Sequence, residues 1–444
     1  MEKQDRYLVA VVGAGPAGLF AAKELAGQGV EVILLNRDIK PGGLAEYGIY
    51  PEKLKMKEGL RAQFRQILSL PNVHYYGNIV VGKDGDLSLD DLWELGCQAI
   101  LVTAGAQGTK WLGLPGEDLV GVYHAKDIVY HYNLLPPYSQ KPYRIGRRVA
   151  VVGVGNVMMD IARYLITEKH VDEVMAIARR GPAEVKFDKK EVETIGANID
   201  LAAYDAEVNR VADIMRAVGQ DPDAVQASLH AIASNAQPTG STTRMTLNFL
   251  QSPTRIIGND GGGMVGLEVE DNTLQLVNGD TKARSLGTRR IVDVDTVIFA
   301  IGDRVDDRLG LPVKGSEFVK NPNPSHPVDE QSYEVFDPET NQPIQGIFVA
   351  GWSRQASTGL VGVARRDGTN GARAMLQYLA AKTPVKVFLL EKIDEKIRLS
   401  GKRVVSNTDL CKLETMEREE AGRRGLMCFK YASDDEMLAA MGLQ

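Results

Sequence analysis

Tyr7-Leu8-Val9-Ala10-Val11-Val12-Gly13-Ala14-Gly15-Pro16-Ala17-Gly18, followed by Leu19 to Leu25, is the stretch whose reading decides the fold. An apolar run of strand length enters three glycines spaced G-x-G-x-x-G and leaves as a helix, giving the order strand, tight turn, helix. Each glycine has its own task. Gly13 lets the chain turn, Gly15 leaves room for the backbone to approach a pyrophosphate, and Gly18 lets helix and strand touch. The phosphates then rest on the helix N-terminus, where free N–H groups and the helix dipole attract anions. The next strand, Glu31 to Leu35, ends at Asn36, where such a fold usually carries an acid that accepts hydrogen bonds from the adenosine ribose. Asn36 can accept one bond but brings no charge, so Arg37 or Asp38 is expected to share the ribose.

The same order recurs downstream. Arg148 to Val152 form an apolar strand, and Gly153-Val154-Gly155-Asn156-Val157-Met158-Met159-Asp160 open a helix through Leu165. Met158 stands at the third position, where Gly or Ala is usual, so helix and strand should lie slightly further apart or the methionine should point aside. The following strand, Glu173 to Ala178, ends in Arg179-Arg180-Gly181-Pro182. Two guanidinium groups at that place pair with a 2′-phosphate through charge-assisted, often bidentate hydrogen bonds and select NADP over NAD. Two further strands end in glycine turns, Ala99 to Gly105 and Thr296 to Gly302. A third, Gly346 to Gly351, leads to Trp352 and then to Thr358-Gly359-Leu360-Val361-Gly362 at the start of a helix.

With 444 residues the chain has room for two or three domains. No apolar run approaches the roughly 18 to 20 residues that cross a bilayer. Met1 to Arg6 lead into the first strand without the basic segment, apolar run and cleavage site of a signal peptide, so a cytoplasmic protein without membrane insertion is expected. Cys97, Cys411 and Cys428 are far apart and form no Cys-x-x-Cys, which leaves no redox dithiol, zinc site or iron–sulfur cluster. The histidines are scattered as well, so no metal is expected. A net charge of -6 gives no reason to expect nucleic acid as a partner. Residues 205 to 237 read as an alanine-rich helical excursion with Asp221-Pro222 as cap and first-turn proline. Gly258 to Gly263 read as a turn between strands, because no helix with Lys-Ser/Thr follows as a phosphate loop requires.

Taken together, Gly13 to Gly18, Pro41-Gly42-Gly43-Leu44 with Tyr47-Gly48, Tyr76-Gly77-Asn78, Gly155-Asn156-Val157, Arg179-Arg180-Gly181-Pro182 and Gly351-Trp352 with Thr358-Gly359 resemble the adrenodoxin-reductase type of ferredoxin–NADP reductase over nearly the whole chain. The tail from Leu413-Glu414 to Met437-Leu438 is similar to that family's C-terminus. The resemblance implies an α/β fold with two Rossmann-like dinucleotide-binding domains, glutathione-reductase-like, the NADP domain inserted in the FAD domain. It implies that the first fingerprint (Gly13, Gly15, Gly18) binds FAD, with Ala17, Leu44, Val81, Trp352, Gly359, Leu360 and Val361 as further contacts. NADP(H) would meet Gly155, Asn156, Val157, Arg179, Arg180 and Glu191, beside the turn at Gly153, and again Gly359 near the nicotinamide. Where the family carries an Asp-His pair, this chain reads Tyr50-Pro51-Glu52-Lys53-Leu54-Lys55-Met56-Lys57, which is more similar to the small subunit of glutamate synthase, though without that subunit's cysteine-rich segment.

Because the second fingerprint lies inside the chain while Trp352 returns to the flavin, the expected division is an FAD domain at 1–105 and 317–444 around an NADP domain at 106–316. The chemistry expected is hydride transfer from nicotinamide C4 to flavin N5, which asks for two rings brought close with water excluded and needs no protein acid or nucleophile. Trp352 is the candidate for covering or flanking the ring, and Glu52 with Lys53 for setting local charge. The expected acceptor is ferredoxin or another small electron carrier docking on basic residues, with Lys186, Lys189, Lys190, Arg210 and Arg216 on the NADP side and Lys53, Lys55 and Lys57 on the flavin side. The alternatives are an electron-input subunit bound to a partner subunit, as in glutamate synthase, and a nucleotide sensor that has lost transfer.

Overall fold

The computed structural model describes residues 6–385, 390–399 and 401–443; the first five residues, on which the reading of the N-terminus rests, lie outside them. The chain divides into two compact units, one made of Met1–Lys110, Tyr130–Gln140 and Gly302–Gln444, the other of Trp111–Val129 and Lys141–Ile301.

In the first unit, strand β1 (Leu8–Val12) feeds helix α1 (Pro16–Gly27), then β2 (Glu31–Asn36), the short α2 (Leu44–Tyr47), α3 (Leu54–Leu68), β3 (Val73–Gly77) and β4 (Ala99–Val102). The four strands pair in parallel in the order β4, β1, β2, β3, and the sheet continues beyond β4 through Gln342–Val349 to Glu334–Asp337, the last pair antiparallel. Parallel strands covered on both faces need continuous apolar runs rather than alternation, and β1 and β2 are buried along their whole length. One face packs on α1 and on the long helix Val361–Leu379, which approach closely because a Cβ at Gly368 would stand 2.1 Å from the Ala17 carbonyl oxygen.

The second unit carries a five-stranded parallel sheet in the order Val122–His124, Thr296–Phe299, Arg148–Val152, Glu173–Ile177, Arg244–Asn248. Met158 lies in the helix Asn156–Thr167 with no exposed surface, so the odd residue of the second fingerprint is a core side chain and does not point aside. The helical excursion is a pair, Leu201–Ala217 and Pro222–Ala233, and the Asp221 carboxylate accepts from the backbone N–H groups of Asp223 and Ala224. Gly258 to Gly263 form the turn of a hairpin, held by the Asn259 side-chain oxygen accepting from Gly261 and Gly263. That hairpin belongs to a three-stranded antiparallel sheet, Gln251–Gly258, Met264–Val277 and Asp280–Val292, whose extent the sequence reading did not anticipate.

The boundaries differ from those read in the sequence. The first unit continues past residue 105 to Lys110 and resumes at Gly302, ahead of 317, because the short strands Gly108–Thr109 and Asp303–Arg304 pair with each other. It also takes back residues 130 to 140, where Asn133 accepts a 2.6 Å hydrogen bond from the Lys57 ammonium and the Ser139 hydroxyl donates to the Ala432 carbonyl.

A Cβ at Gly18 would meet the Gly13 carbonyl oxygen at 1.9 Å and the Thr103 hydroxyl at 2.5 Å, whereas Gly59, exposed within α3, has nothing within 4 Å. Gly18→Ala is expected to destabilise the chain by at least about 2 kcal/mol through overpacking, and Gly59→Ala to stabilise it by roughly 0.5–1 kcal/mol through helix propensity. Denaturant unfolding of the two variants checks both signs.

Candidate functional site

The first cradle is built from backbone. Gly13 holds φ at 109°, a value an L-residue rarely adopts, and its Cα faces the Thr103–Ala104 backbone so closely that a Cβ would fall 2.7 Å from it. Three hydrogen bonds fix the turn: the Gly13 N–H donates to the Leu35 carbonyl at 2.7 Å, the Thr103 hydroxyl to the Gly13 carbonyl at 2.7 Å, and the Gly42 N–H to the Ala14 carbonyl at 2.7 Å. Gly15 caps α1 with no side-chain hydrogen bond, and a Cβ there would meet nothing within 4 Å. The N-terminus of α1 thus opens on free space with its first N–H groups uncapped, the arrangement that receives a phosphate. Gly43 closes the other side, its Cβ position 3.2 Å from Gly15 Cα, and Gly351 closes a third, its Cβ position 2.6 Å from the Ala17 side chain.

Asn36 is placed differently from the sequence expectation. It is buried, its side-chain oxygen accepts from the Ala14 N–H at 3.1 Å, and its amide donates to the carbonyls of Asp38 at 2.7 Å and Lys40 at 3.1 Å. Its oxygen braces the glycine turn and its amide nitrogen holds the loop after β2, which leaves the half-buried pair Arg37 and Asp38, 2.9 Å apart, as the polar groups beside the end of β2. Leu44 opens α2 and packs with Tyr47, Tyr130 and Leu135. Val81 sits half-buried in a loop that bridges to Leu87. Trp352 is half-exposed, and its indole N–H donates to the Thr358 carbonyl at 3.0 Å, which pins the loop leading to Gly359, Leu360 and Val361. Leu360 caps the helix Val361–Leu379 without a side-chain hydrogen bond and is 70% exposed, so this N-terminus too is open to a ligand. Glu52 and Lys53 lie in the turn that starts α3, Glu52 exposed and Lys53 half-buried.

Behind α2 stands a cluster of charges that the sequence reading missed. Glu46 is 3% exposed and receives Arg61 through two bonds of 2.6 and 2.7 Å and Lys430 at 2.7 Å, while Lys40 lies 3.8 Å away and pairs with Glu417 at 2.5 Å. Burial by itself would raise the Glu46 carboxyl, but Lys430, Lys40 and Arg61 hold it well below the usual carboxylate range. An acid inside the buried run Leu44 to Tyr47 was the available signal; nothing in the tail sequence marked Lys430 as its partner. Lys57, expected as surface charge, is buried too, and burial together with the neighbouring Lys430 pushes its ammonium down to about 7.

The second cradle repeats the first with one difference. Gly153 holds φ at 131° against the Ala300 carbonyl, and Gly155 caps its helix with no side chain and nothing within 4 Å of a Cβ. Val157 is 44% exposed on the first turn. Asn156 does not stand open to a ligand: its amide donates to the Asp188 carboxylate and its oxygen accepts from the Asp188 N–H, both at 2.7 Å, so it ties down the residue that caps the short helix Lys189–Glu193, which carries Glu191. Arg179 is exposed and Arg180 half-buried in the turn after the strand Glu173–Ile177, and among the described residues neither pairs with a carboxylate. Of the expected docking residues, Lys186, Lys189 and Lys190 are exposed, whereas Arg210 and Arg216 are taken up by Glu207 at 2.7 Å and Asp213 at 3.1 Å.

Residues 7–200 match the family described as pyridine nucleotide-disulphide oxidoreductase. NADPH-ferredoxin reductase FprA of Mycobacterium tuberculosis is 29% identical over 409 residues, 84% of each chain, and NADPH:adrenodoxin oxidoreductase, mitochondrial, of Mus musculus is 27% identical over 482 residues, 98% of this chain and 91% of that one. The solved structure of Mycobacterium tuberculosis FprA in complex with NADPH matches with a TM-score of 0.80 at 24% identity over 98% of this chain and 99% of the other, a likeness of fold. All three cysteines are free and Cys97 is buried, so the disulphide chemistry in the family's description has no dithiol here. Among the described residues no group could hold a metal, and no helix is long and apolar enough to cross a membrane.

The depressed Lys57 ammonium has a readable consequence. Between about 7 and the ordinary lysine value of 10.5 the folded chain binds fewer protons at this group than the unfolded chain, so stability rises with pH through that window and the destabilisation is complete once pH has fallen below about 7. Lys57→Met is expected to raise the melting temperature at about pH 6 and to gain less, or lose, near pH 9. Melting curves of both proteins across that range check it.

Proposed function

We propose that this chain, a homologue of the NADPH-ferredoxin and NADPH:adrenodoxin reductases, is an FAD-dependent oxidoreductase that takes hydride from NADPH and delivers electrons to ferredoxin or a similar small one-electron carrier. The observation that carries the reading is the pair of glycine cradles, one in each unit, both opening an uncapped helix N-terminus on free space at Gly15 and Gly155. Two pyrophosphates are what such a pair fits.

FAD, which the first cradle would hold, would supply the redox chemistry of hydride acceptance and one-electron release. The protein's own part is placement and electrostatics. Gly15 lets the phosphates lie on the N–H groups of α1, while Thr103 and Asn36 keep the turn from relaxing. Arg37 and Asp38 meet the adenosine ribose in place of the usual acid. The open N-terminus of Val361–Leu379, with Gly359 and Leu360 in front of it, would favour negative charge on a flavin bound there. Trp352, fixed through Thr358, would flank the ring and limit water, and Glu52 with Lys53 would set the local charge.

In the second cradle Gly155 and Val157 receive the NADPH pyrophosphate, and Arg179 and Arg180 clamp the 2′-phosphate. Asn156 acts through Asp188, which it holds at the start of the helix that carries Glu191 toward the coenzyme. Lys186, Lys189 and Lys190 form what remains of the basic face for an acidic carrier, and the protein works in the cytoplasm.

Each guanidinium bond to a phosphate is worth about 1.5–3 kcal/mol, so replacing Arg179 and Arg180 together by Ala is expected to weaken NADPH binding at least tenfold while NADH binding barely moves. Titration of both coenzymes against the double variant tests this. Equal loss for the two would remove the arginines from the coenzyme site.

A further inference from the structure

Asp434, Asp435 and Glu436 are exposed in the C-terminal segment after Gly425, but Lys430 is turned inward. The Lys430 side chain is 12% exposed, and its ammonium has four partners: the Glu46 carboxylate at 2.7 Å, the carbonyls of Glu46 at 3.3 Å and Asn133 at 3.2 Å, and the face of the Tyr47 ring at 4.5 Å from its centroid. Glu46 and Tyr47 are the last two residues of α2, and α2 starts from Gly43, whose Cβ position is 3.2 Å from Gly15 Cα. Lys430 therefore holds the back of the turn whose front lines the pyrophosphate cradle. Four residues on, Asp434 opens the last helix, Asp434–Met441, with its side chain exposed.

We propose that residues 425–443 form a clasp that retains FAD, with Lys430 as its positioning residue, acting through Glu46 and Tyr47 on the Gly42–Gly43 turn. This rests on the reading of the first cradle as the FAD site. A lysine anchored in this way costs solvation and side-chain entropy, which the four partners offset only while α2 stays against the glycine turn. Bound FAD fixes that turn from the other side. Thermodynamic reciprocity then requires that whatever the clasp adds to FAD affinity, FAD adds to the stability of the closed clasp.

The test is hydrogen exchange on the full chain with and without FAD, joined to flavin release from variants. The amides of residues 429–441 are expected to exchange at least about tenfold faster in the FAD-free protein, as reciprocity demands. Lys430→Met is expected to release FAD about tenfold faster than the parent chain, with NADPH affinity unchanged, and Lys430→Arg, which keeps the donor to Glu46, to restore retention. If Lys430→Met does not fold, the exchange measurement on the parent chain decides alone. Tail exchange that ignores FAD, or a folded Lys430→Met that keeps FAD as well as the parent, overturns the clasp. Gly15→Val separates the two claims: if it loses FAD while the tail is indifferent, only the clasp fails, and if it keeps FAD, the cradle assignment itself fails.

Discussion

Backbone must come within touching distance of backbone at Gly13 and Gly18, and most of the first unit is arranged around that one condition. The Gly13 carbonyl lies where a Cβ on residue 18 would be, so α1 can start against β1 only if residue 18 has no side chain. Once α1 starts there, its uncapped N-terminus points to open space and a pyrophosphate becomes the natural partner of the free N–H groups. The surrounding polar groups serve the same turn. Thr103 holds the Gly13 carbonyl, Asn36 holds the Ala14 N–H, and Gly42 holds the Ala14 carbonyl from the far side. The Asp367 carboxylate continues the pattern one layer out, accepting from the Gly351 N–H at 2.6 Å and from Arg354 at 2.6 Å, so that Gly351 can lie against Ala17.

The second cradle relaxes the condition. With Met158 at the third position the close approach at that point is given up, and the methionine fills the space as a core residue. What remains is the turn at Gly153 and the open cap at Gly155, together with two arginines that have no carboxylate partner among the described residues. The chemistry at the ends of the two second strands differs accordingly. The first unit spends Asn36 on its own turn and presents Arg37 already paired with Asp38, whereas the second presents Arg179 and Arg180 unpaired, as recognition of an additional phosphate would need. The two nucleotides assigned to these sites differ in that phosphate.

The parts of the fold that were legible in the sequence are those where local pattern and backbone geometry agree. Leu8–Val12 with its glycines, Arg148–Val152 with its own, and the Asp221-Pro222 cap all carry their meaning within a dozen residues. Asp280–Val292 was not legible because its side chains are exposed on both faces and carry Lys282, Arg284, Arg289 and Arg290, so no alternation marks it as a strand. Charged, exposed edge strands protect a sheet against pairing with another chain, and the feature that hides this one from pattern reading is the same that keeps it soluble. At the site the losses were of long range. Glu46 with Lys430, and Lys57 with Asn133, join residues 384 and 76 positions apart, and neither partner is predictable from the other. Asn36 was misjudged for a related reason: its substitution for an acid is visible in the sequence, but that it turns inward to brace Ala14 is visible only in the fold.

The central claim is that one chain accepts hydride from NADPH on a flavin and passes the electrons on singly. Anaerobic titration of the purified holoprotein with NADPH, followed by an oxidised ferredoxin, tests it most directly. The expected result is loss of the flavin absorbance with NADPH well ahead of NADH, and its return when the ferredoxin is added. A flavin absorbance unmoved by NADPH, or a purified protein that carries no flavin at all, would contradict it.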